Sequence, residues 1–530
     1  MTILEGTGQA PHHARLFGSF GAPVLPDELA AAAGRQRHGG RGGTGLLHGE
    51  RWALGSNRLA AGTPSADCRP CRLPSVPGVV AVLDGEIYNH RELRRRMRGR
   101  GHVVPDTGAG ALLPALYATY GTEFAAELDG MFAVAVVDLR GPGRLVLATD
   151  GQGAKTLYHH SAPDGAVHFA SELPGLLAFS HVPARPRELS LDDVLTLGPP
   201  RGDRTHLDGI TALPAGAVAV ATGTSGLRVR VGRRGGGGAA DPGEETRRVL
   251  PADGRVCVIG PDDGTPGDLA VSAARHLAEL GHTRLHTFHL VRRGARRPSS
   301  GPRPLTDRRV RVVRHPIVAD PRELADLLPR TIWHLGQPDP DPAAVETSLL
   351  LRGAVRAGFS VALAERTRPG HVRPMGVPAR LRESLYTPEY GAYVRAHAEG
   401  RERSAPLRDG QLRRLDHLGA AWGVEVRVPR RGARDARPPL APPAPVPLLT
   451  RGSPLTALAR DVLAPSDLTR DGRLDPRSVE AFLTAQHRTP TPEGSRAVLS
   501  LLSHELWLRE LRALRPVTSR SGVRDAVFAA

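Results

Sequence analysis

Three short segments of the chain carry residue types that could do chemistry. Cys68 and Cys71 form a C-x-x-C pair, a spacing at which two thiolates can bind zinc. The loop 260–268, GPDDGTPGD, follows an apolar run and precedes a helical pattern, a place where backbone amides can bind phosphate. Arg366 and Arg368 follow a second apolar run and could bind an anion directly. Because no second cysteine pair or histidine cluster accompanies Cys68 and Cys71, we predict no metal site.

The region up to about residue 180 has the pattern of strands. Continuous apolar runs predict strands around 79–83, over 131–138 and over 144–149, with both faces of the last two covered. The turn Gly-Pro-Gly at 141–143 joins these two as a hairpin. Leu93 and Met97, one helical turn apart, predict a short helix after the first strand. The single lysine of the chain, Lys155, is predicted to lie on a further strand, GQGAKTLY.

After four consecutive glycines at 235–238, which predict a flexible linker, the pattern becomes α/β. Apolar strands are predicted over 256–259 and 359–363, with a helix capped by Asp268 after the first of them. The chain ends in a helical pattern, and the Pro-rich run 438–447 predicts an extended or disordered connector.

Composition excludes several classes of protein. The 530 residues carry a net charge of +17, with 70 arginines for a single lysine, which indicates a GC-rich genome more than a nucleic-acid surface. The densest basic stretch, 292–314, contains no aromatic residue for base stacking. No run is long enough for a membrane helix and no secretory signal is visible. Three cysteines suit a reducing cytoplasm, which we take as the expected location.

Several ordered segments together resemble the asparagine synthetase (glutamine-hydrolysing) family. The resemblance covers most of residues 14–515 and implies a class II glutamine amidotransferase domain of N-terminal-nucleophile (Ntn) αββα type, followed by a doubly wound ATP-pyrophosphatase (PP-loop-like) α/β domain. The expected fold class is therefore α/β and α+β. The segments are LDGEIYNHREL (83–93), ELDGMFAVAVVDL (127–139), LVLATDGQGAKTLYHH (145–160), FASELPGLL (169–177), DGITALPAG (208–216), RLHTFHL (284–290), LLPRTIWHLGQPDPDP (327–342), VEVRVP (424–429) and LLSHELWLREL (501–511).

The resemblance implies that glutamine is hydrolysed by an N-terminal cysteine, and this position is lost here. The family begins Met-Cys-Gly-Ile, and ARLFGSFG places Ala14 at the nucleophile. Arg58, Gly85 and Glu86 match residues of the family's glutamine pocket. At the position where the family has the asparagine that stabilises the oxyanion, this chain has Asp84. The negative charge of Asp84 would repel that oxyanion. We therefore predict no catalytic residue and no glutaminase activity.

The ATP half of the resemblance is also rewritten. The strand ending at Gly260 leads into Asp262, Asp263, Gly264 and Thr265 in place of the family's Ser-Gly-Gly-x-Asp-Ser loop. Flanking prolines remove amide donors. The two added carboxylates would repel a polyphosphate, each contact at 4 Å by about 4 kcal/mol at an effective dielectric near 20. The second family motif is replaced by the segment that holds Arg366 and Arg368, and no lysine follows residue 155, although the family uses a C-terminal lysine near the reacting centre.

These observations lead to a prediction with two alternatives. The domains are expected at 1–180 (amidotransferase-like), 181–245 (connection and linker) and 246–515 (synthetase-like). The favoured function is that of a pseudoenzyme without cofactors, a partner or scaffold in amide-forming specialised metabolism, acting as a homodimer or with another biosynthetic enzyme. The first alternative is an active ATP-dependent amide- or macrolactam-forming ligase, which would need ATP and Mg²⁺. The second is a basic nucleic-acid-binding protein, and neither reading calls for a membrane.

Overall fold

The computed structural model describes residues 14–39, 43–58, 70–106, 108–200, 202–223, 225–232, 241–251, 253–260, 268–291, 309–365, 376–397, 408–430, 453–464 and 466–514. The predicted linker 235–238, the Pro-rich run 438–447, Cys68, Asp262, Asp263, Gly264, Thr265, Arg366 and Arg368 lie outside these residues.

In the described ranges of the N-terminal part there are twelve strands and five α-helices. The strands are β1 (Ala14–Phe20), β2 (Thr44–His48), β3 (Trp52–Arg58), β4 (Cys71–Leu73), β5 (Val76–Ile87), β6 (Gly130–Asp138), β7 (Arg144–Thr149), β8 (Tyr158–Ser161), β9 (Val167–Ala170), β10 (Ile210–Ala212), β11 (Ala217–Thr222) and β12 (Arg228–Val231). The α-helices are α1 (Pro26–Arg35), α2 (His90–Gly99), α3 (Leu113–Tyr120), α4 (Leu173–Leu176) and α5 (Ser190–Leu197), and short 3₁₀ turns span Arg37–Gly39, Ala109–Leu112 and Gly121–Glu127.

The N-terminal strands make two facing antiparallel sheets, of order β10-β8-β9-β1-β3-β2 and β12-β11-β7-β6-β5-β4. Side chains such as Leu16 and Leu54 of the first sheet and Val80 and Ala135 of the second fill one buried cluster between them. Helices α2 and α3 cover the outer face of the second sheet, and α1 and α4 cover that of the first. The layers are therefore helix, sheet, sheet, helix, as the family resemblance implies.

The predicted elements of this part are confirmed. Every residue of β6 is buried, in agreement with the expectation that both of its faces are covered. Leu93 and Met97 of α2 are fully buried. The position of Lys155 was predicted wrongly, because it lies in the irregular segment between β7 and β8. The backbone N–H groups of Ala154 and Lys155 both donate to the Asp150 carboxylate, at 3.1 Å each, and so cannot join a ladder.

A parallel sheet organises the C-terminal part. Its strands are β13 (Cys257–Gly260), β14 (Arg284–Val291), β15 (Arg311–Val318), β16 (Val361–Ala364) and β17 (Glu425–Arg427), in the order β15-β14-β13-β16-β17. All four pairings are parallel. The helices are α6 (Pro242–Val249), α7 (Asp268–Glu279), α8 (Pro321–Leu335), α9 (Ala343–Arg356), α10 (Ala379–Glu383), α11 (Pro388–His397), α12 (Arg408–Trp422), α13 (Pro454–Leu463), α14 (Asp467–Arg470), α15 (Pro476–Arg488) and α16 (Pro492–Ala513).

Helices cover both faces of the parallel sheet, which makes it doubly wound. Helix α7 packs on one face through Leu269 and Ala273, while α8 and α9 pack on the other through residues such as Ile332 and Leu350. The strand order reverses between β13 and β16, so β13 and its C-terminal end stand at the switch point. The predicted fold class, α/β and α+β, is confirmed. The expected boundaries at 180 and 245 stay predictions.

The two parts share one apolar cluster. It joins Phe17 and Tyr158 of the first sheet to Leu412 and Leu415 of α12 and to Trp507 of α16. Within the described ranges, no helix combines the length and apolar character needed to cross a membrane.

Candidate functional site

The strand register brings the sequence-predicted pocket positions together. Ala14 opens β1 and pairs with Arg58, the last residue of β3. The side chain of Arg58 lies outside the described part of the structure. On the facing sheet, Asp84 and Glu86 lie on β5, on either side of Gly85. The next residue of β1, Arg15, links the two sheets, because its Nη1 lies 3.1 Å from Asp84 Oδ2.

Arg15 is the centre of a buried ion cluster. Its side chain is 1% exposed. Its Nε lies 2.9 Å from Glu172 Oε1, and its Nη1 lies 3.0 Å from Asp416 Oδ2 on α12. A third donor, Nη2, bonds the Asp416 carbonyl at 2.7 Å. Burial disfavours the charge on Arg15, but Asp416, Asp84 and Glu172 outweigh it and raise the guanidinium pKa.

Lys155 is the second cation of the cluster. Its Nζ donates to Asp416 Oδ1 at 3.0 Å and lies 3.4 Å from Asp84 Oδ1. Burial lowers the pKa of Lys155, but the carboxylates of Asp416 and Asp84 overcome this and leave the pKa raised. Lys155 therefore stays charged in the interior, far from any role as a base at neutral pH.

Three carboxylates face these two cations, and one of them, Glu172, also contacts His38 Nε2 at 2.8 Å. Burial favours the neutral form of Asp416, but Arg15 and Lys155 outweigh burial and hold its pKa low. Burial of Glu172 is outweighed by His38 and Arg15, which lower its pKa to about 2. For Asp84, burial dominates over Lys155 and Arg15 and raises the pKa, even though Ser171 Oγ donates to it at 2.9 Å. Asp84 is therefore the carboxyl group that takes up a proton first.

Glu86 and Gly85 have structural partners. Glu86 Oε1 lies 3.4 Å from Arg427 Nη2 on β17, and Arg427 Nε donates to Glu425 at 2.8 Å. Gly85 has a φ of +108°, and a Cβ there would lie 2.0 Å from the Met131 carbonyl oxygen. Glu86 is thus held by a contact that reaches across to the C-terminal part, and Gly85 by its backbone conformation and its closeness to Met131.

The described residues offer no nucleophile at this place. The residue at the head of β1 is Ala14, and the described cysteines are Cys71 on β4 and Cys257 on β13. Burial raises the pKa of the Cys257 thiol, so it is not a thiolate at neutral pH. Among the residues that the structure describes, no group of three or more His, Cys, Asp or Glu side chains is arranged to hold a metal ion.

At the switch point of the parallel sheet, a carboxylate bonds the start of α7. Strand β13 ends at Gly260, and α7 begins at Asp268. The backbone N–H of Leu269 donates to Glu365 Oε1 at 3.0 Å. Glu365 is the residue directly after β16, so the first turn of α7 already contacts an anion from this chain. The described residues here do not fit a bound polyphosphate, because this carboxylate would repel it.

Sequence reasoning missed most of the ion cluster. Arg15 could have been singled out from the sequence, because the family has a glycine directly after its cysteine whereas this chain has an arginine directly after Ala14. Glu172 and Ser171 lie within the segment FASELPGLL, where nothing in the sequence distinguishes them from other strand-end polar residues. Nothing in the sequence indicated that Asp416 contacts Arg15. The two residues are 401 positions apart, and Asp416 lies on a helix of mixed polarity.

The comparisons with known proteins agree with this architecture in its N-terminal part. Residues 16–229 match the family described as "Glutamine amidotransferase domain". The chain is 34% identical over 142 residues to asparagine synthetase [glutamine-hydrolyzing] 1 of Arabidopsis thaliana, covering 27% of this chain and 24% of that protein. It is 36% identical over 142 residues to asparagine synthetase [glutamine-hydrolyzing] of Zea mays, with the same coverage of 27% and 24%. The match thus spans about a quarter of these relatives' length.

Among solved structures, the chain is similar to the glutamine phosphoribosylpyrophosphate amidotransferase from B. subtilis, complexed with ADP and GMP. The identity is 14%, the TM-score is 0.31, and the overlap covers 66% of this chain and 81% of that one. From the sequence matches, the N-terminal part is a class II glutamine amidotransferase domain. Over this part the chain is asparagine synthetase-like.

Proposed function

We propose that this asparagine synthetase-like chain has lost both glutamine hydrolysis and ATP-dependent amidation, and serves as a partner or scaffold for another amide-forming enzyme in specialised metabolism. The observation that carries the proposal is the buried Arg15–Asp84 ion pair beside Ala14. It places two charges where the resemblance implies a glycine and an oxyanion-binding asparagine.

The chemistry of glutamine hydrolysis supports this proposal. The reaction needs a thiolate to attack the amide and donors to stabilise the oxyanion. Ala14 supplies no thiol. Asp84 has a raised pKa but is surrounded by Arg15, Lys155 and Ser171, so it has no free donor directed at a substrate.

The start of α7 supports the second half of the proposal. Glu365 accepts the Leu269 N–H at 3.0 Å and brings a negative charge to a helix N-terminus that would otherwise attract phosphate. ATP and Mg²⁺ are therefore not part of the proposed function. Cytoplasmic location, and assembly as a homodimer or with another biosynthetic enzyme, complete the proposal.

Two assays on the full chain test it. Glutamate release from glutamine, and AMP formation from Mg-ATP with a panel of carboxylates and ammonia, are both expected at the level of a protein-free blank, with an active asparagine synthetase as positive control. Calorimetric titration with Mg-ATP is expected to give no heat of binding. Glutamate above the blank would contradict the first loss, and micromolar Mg-ATP binding with AMP release would establish the ligase alternative instead.

A further inference from the structure

One carboxylate of the C-terminal part is inserted into the N-terminal part. Asp416 lies on α12, and its side chain is 1% exposed. Among the described residues, the donors that bond its carboxylate belong to the N-terminal part: Arg15 Nη1 at 3.0 Å, Lys155 Nζ at 3.0 Å and the backbone N–H of Thr156 at 3.3 Å. Two cations and an amide on one carboxylate make a preformed anion site.

The contact extends beyond the carboxylate. Arg15 Nη2 also bonds the main-chain carbonyl of Asp416 at 2.7 Å, so it holds the backbone of α12 as well as its side chain. The neighbouring residue, His417, packs edge-on to Tyr158 with ring centroids 5.8 Å apart. The Arg413 guanidinium lies over the same ring at 5.8 Å. One turn of α12 is therefore held against two strands of the first sheet, β1 through Arg15 and β8 through Tyr158.

The surrounding interface combines the shared apolar cluster with other ion pairs, such as Glu86 with Arg427 and Asp192 with Arg382. Apolar contacts between the two parts favour burial but are not directional, so orientation depends on the charged contacts. A buried carboxylate with three donors is satisfied in one arrangement only, and a shift of the interface would leave unpaired charges in a low dielectric. The cluster is thus suited to select one orientation.

We propose that Arg15, Lys155 and the Thr156 amide form a carboxylate receptor, and that Asp416 occupies this receptor as a latch that fixes α12 and the C-terminal domain on the N-terminal domain. The latch does not depend on whether the chain is catalytic. It assigns a present role to Arg15 and Asp84, since Asp84 holds Arg15 at 3.1 Å in position to receive Asp416.

Hydrogen exchange of the full chain tests the latch. The variant Arg15→Met keeps an unbranched side chain as far as the ε atom but removes the guanidinium, which leaves Lys155 as the cation that faces both Asp84 and Asp416. We expect exchange to become faster by about tenfold or more in two peptides at once, the one that contains Thr156 and the one that contains Asp416 on α12. Should Arg15→Met fail to fold, Asp416→Asn gives the same readout at the Thr156 peptide.

A matched control separates the latch from general destabilisation. Asp192 on α5 is also a buried carboxylate, 2% exposed, which pairs with Arg382 and accepts from Tyr386 Oη at 2.7 Å, so it is a contact between the two parts made through residues outside α12. Asp192→Asn is expected to leave exchange at Thr156 unchanged. Adding Asp416→Asn to Arg15→Met removes one uncompensated charge and should slow the Thr156 peptide again. Equal acceleration in the Asp192 control, or no acceleration in Arg15→Met, would overturn the latch.

Discussion

At the scale of single residues, the start of β1 lies at the centre of a buried ion cluster. Arg15 and Asp84 each introduce a charge that would be costly alone in the interior, but they lie 3.1 Å apart and offset each other. Lys155 and Asp416 extend the same compensation to four charges in contact. Because each of these charged side chains contacts a side chain of opposite charge, so polar an interior is compatible with a stable domain.

Gly85, between two of the pocket-like carboxylates, gives a residue-scale prediction. Gly85→Ala must accommodate both a φ of +108° and a Cβ 2.0 Å from the Met131 carbonyl oxygen, so it should lower the free energy of unfolding by about 3 kcal/mol or more. Gly141→Ala is the matched control, since its φ is +70° but no atom lies within 4 Å of the added Cβ. It should cost about 1 kcal/mol. Urea unfolding measures both, and equal losses would contradict the clash argument.

At the scale of elements, short helices in the C-terminal part depend on acceptors supplied by longer ones. Helix α14 has four residues and cannot satisfy its own first amides. Glu505, fully buried on α16, accepts from the backbone N–H groups of Asp467 at 2.9 Å and Leu468 at 3.3 Å. The same carboxylate lies 3.1 Å from Arg509 Nε. The position of α14 is therefore set by a side chain of another helix.

Removal of that acceptor is the element-scale prediction. Glu505→Ala leaves two buried N–H groups without their acceptor and should lower the free energy of unfolding by about 3 kcal/mol. Glu493→Ala, on the same helix but with its side chain 49% exposed, should change it by no more than about 0.5 kcal/mol. Chemical denaturation followed by circular dichroism compares the two. Similar losses would mean that α14 does not depend on Glu505.

At the scale of the whole molecule, the interior holds several buried histidines whose pKa values are lowered. Burial lowers the pKa of His206 to about 3, of His334 to about 3 and of His417 to about 4. These histidines are neutral in the folded chain, while in the unfolded chain they take up protons near pH 6.5. Below that pH the unfolded state binds more protons, so the folded state loses stability.

Stability should therefore fall as pH is lowered from about 6.5 to 4, by about 1.4 kcal/mol per pH unit for each such histidine. Glu172, with a folded pKa of about 2, adds a further loss as pH falls below the ordinary glutamate range. Urea unfolding at pH 7, 6 and 5 measures the slope, and His417→Gln should make it shallower by one histidine's share. A free energy of unfolding that stays constant from pH 7 to 5 would contradict this reading.

The sequence by itself determined many of the elements and the absence of a cysteine at position 14. Runs such as 131–138 fix strands through local apolar patterning, and Ala14 excludes a thiol whatever the fold, because these are properties of neighbouring residues. The sequence did not place Lys155, whose amide bonds Asp150 in an irregular segment. Only the tertiary structure decided that Arg15 meets Asp416, 401 positions away, and that Glu365 bonds the start of α7. Ion pairs form between residues that are close in space, and the periodicity of the sequence does not indicate which distant residues come close.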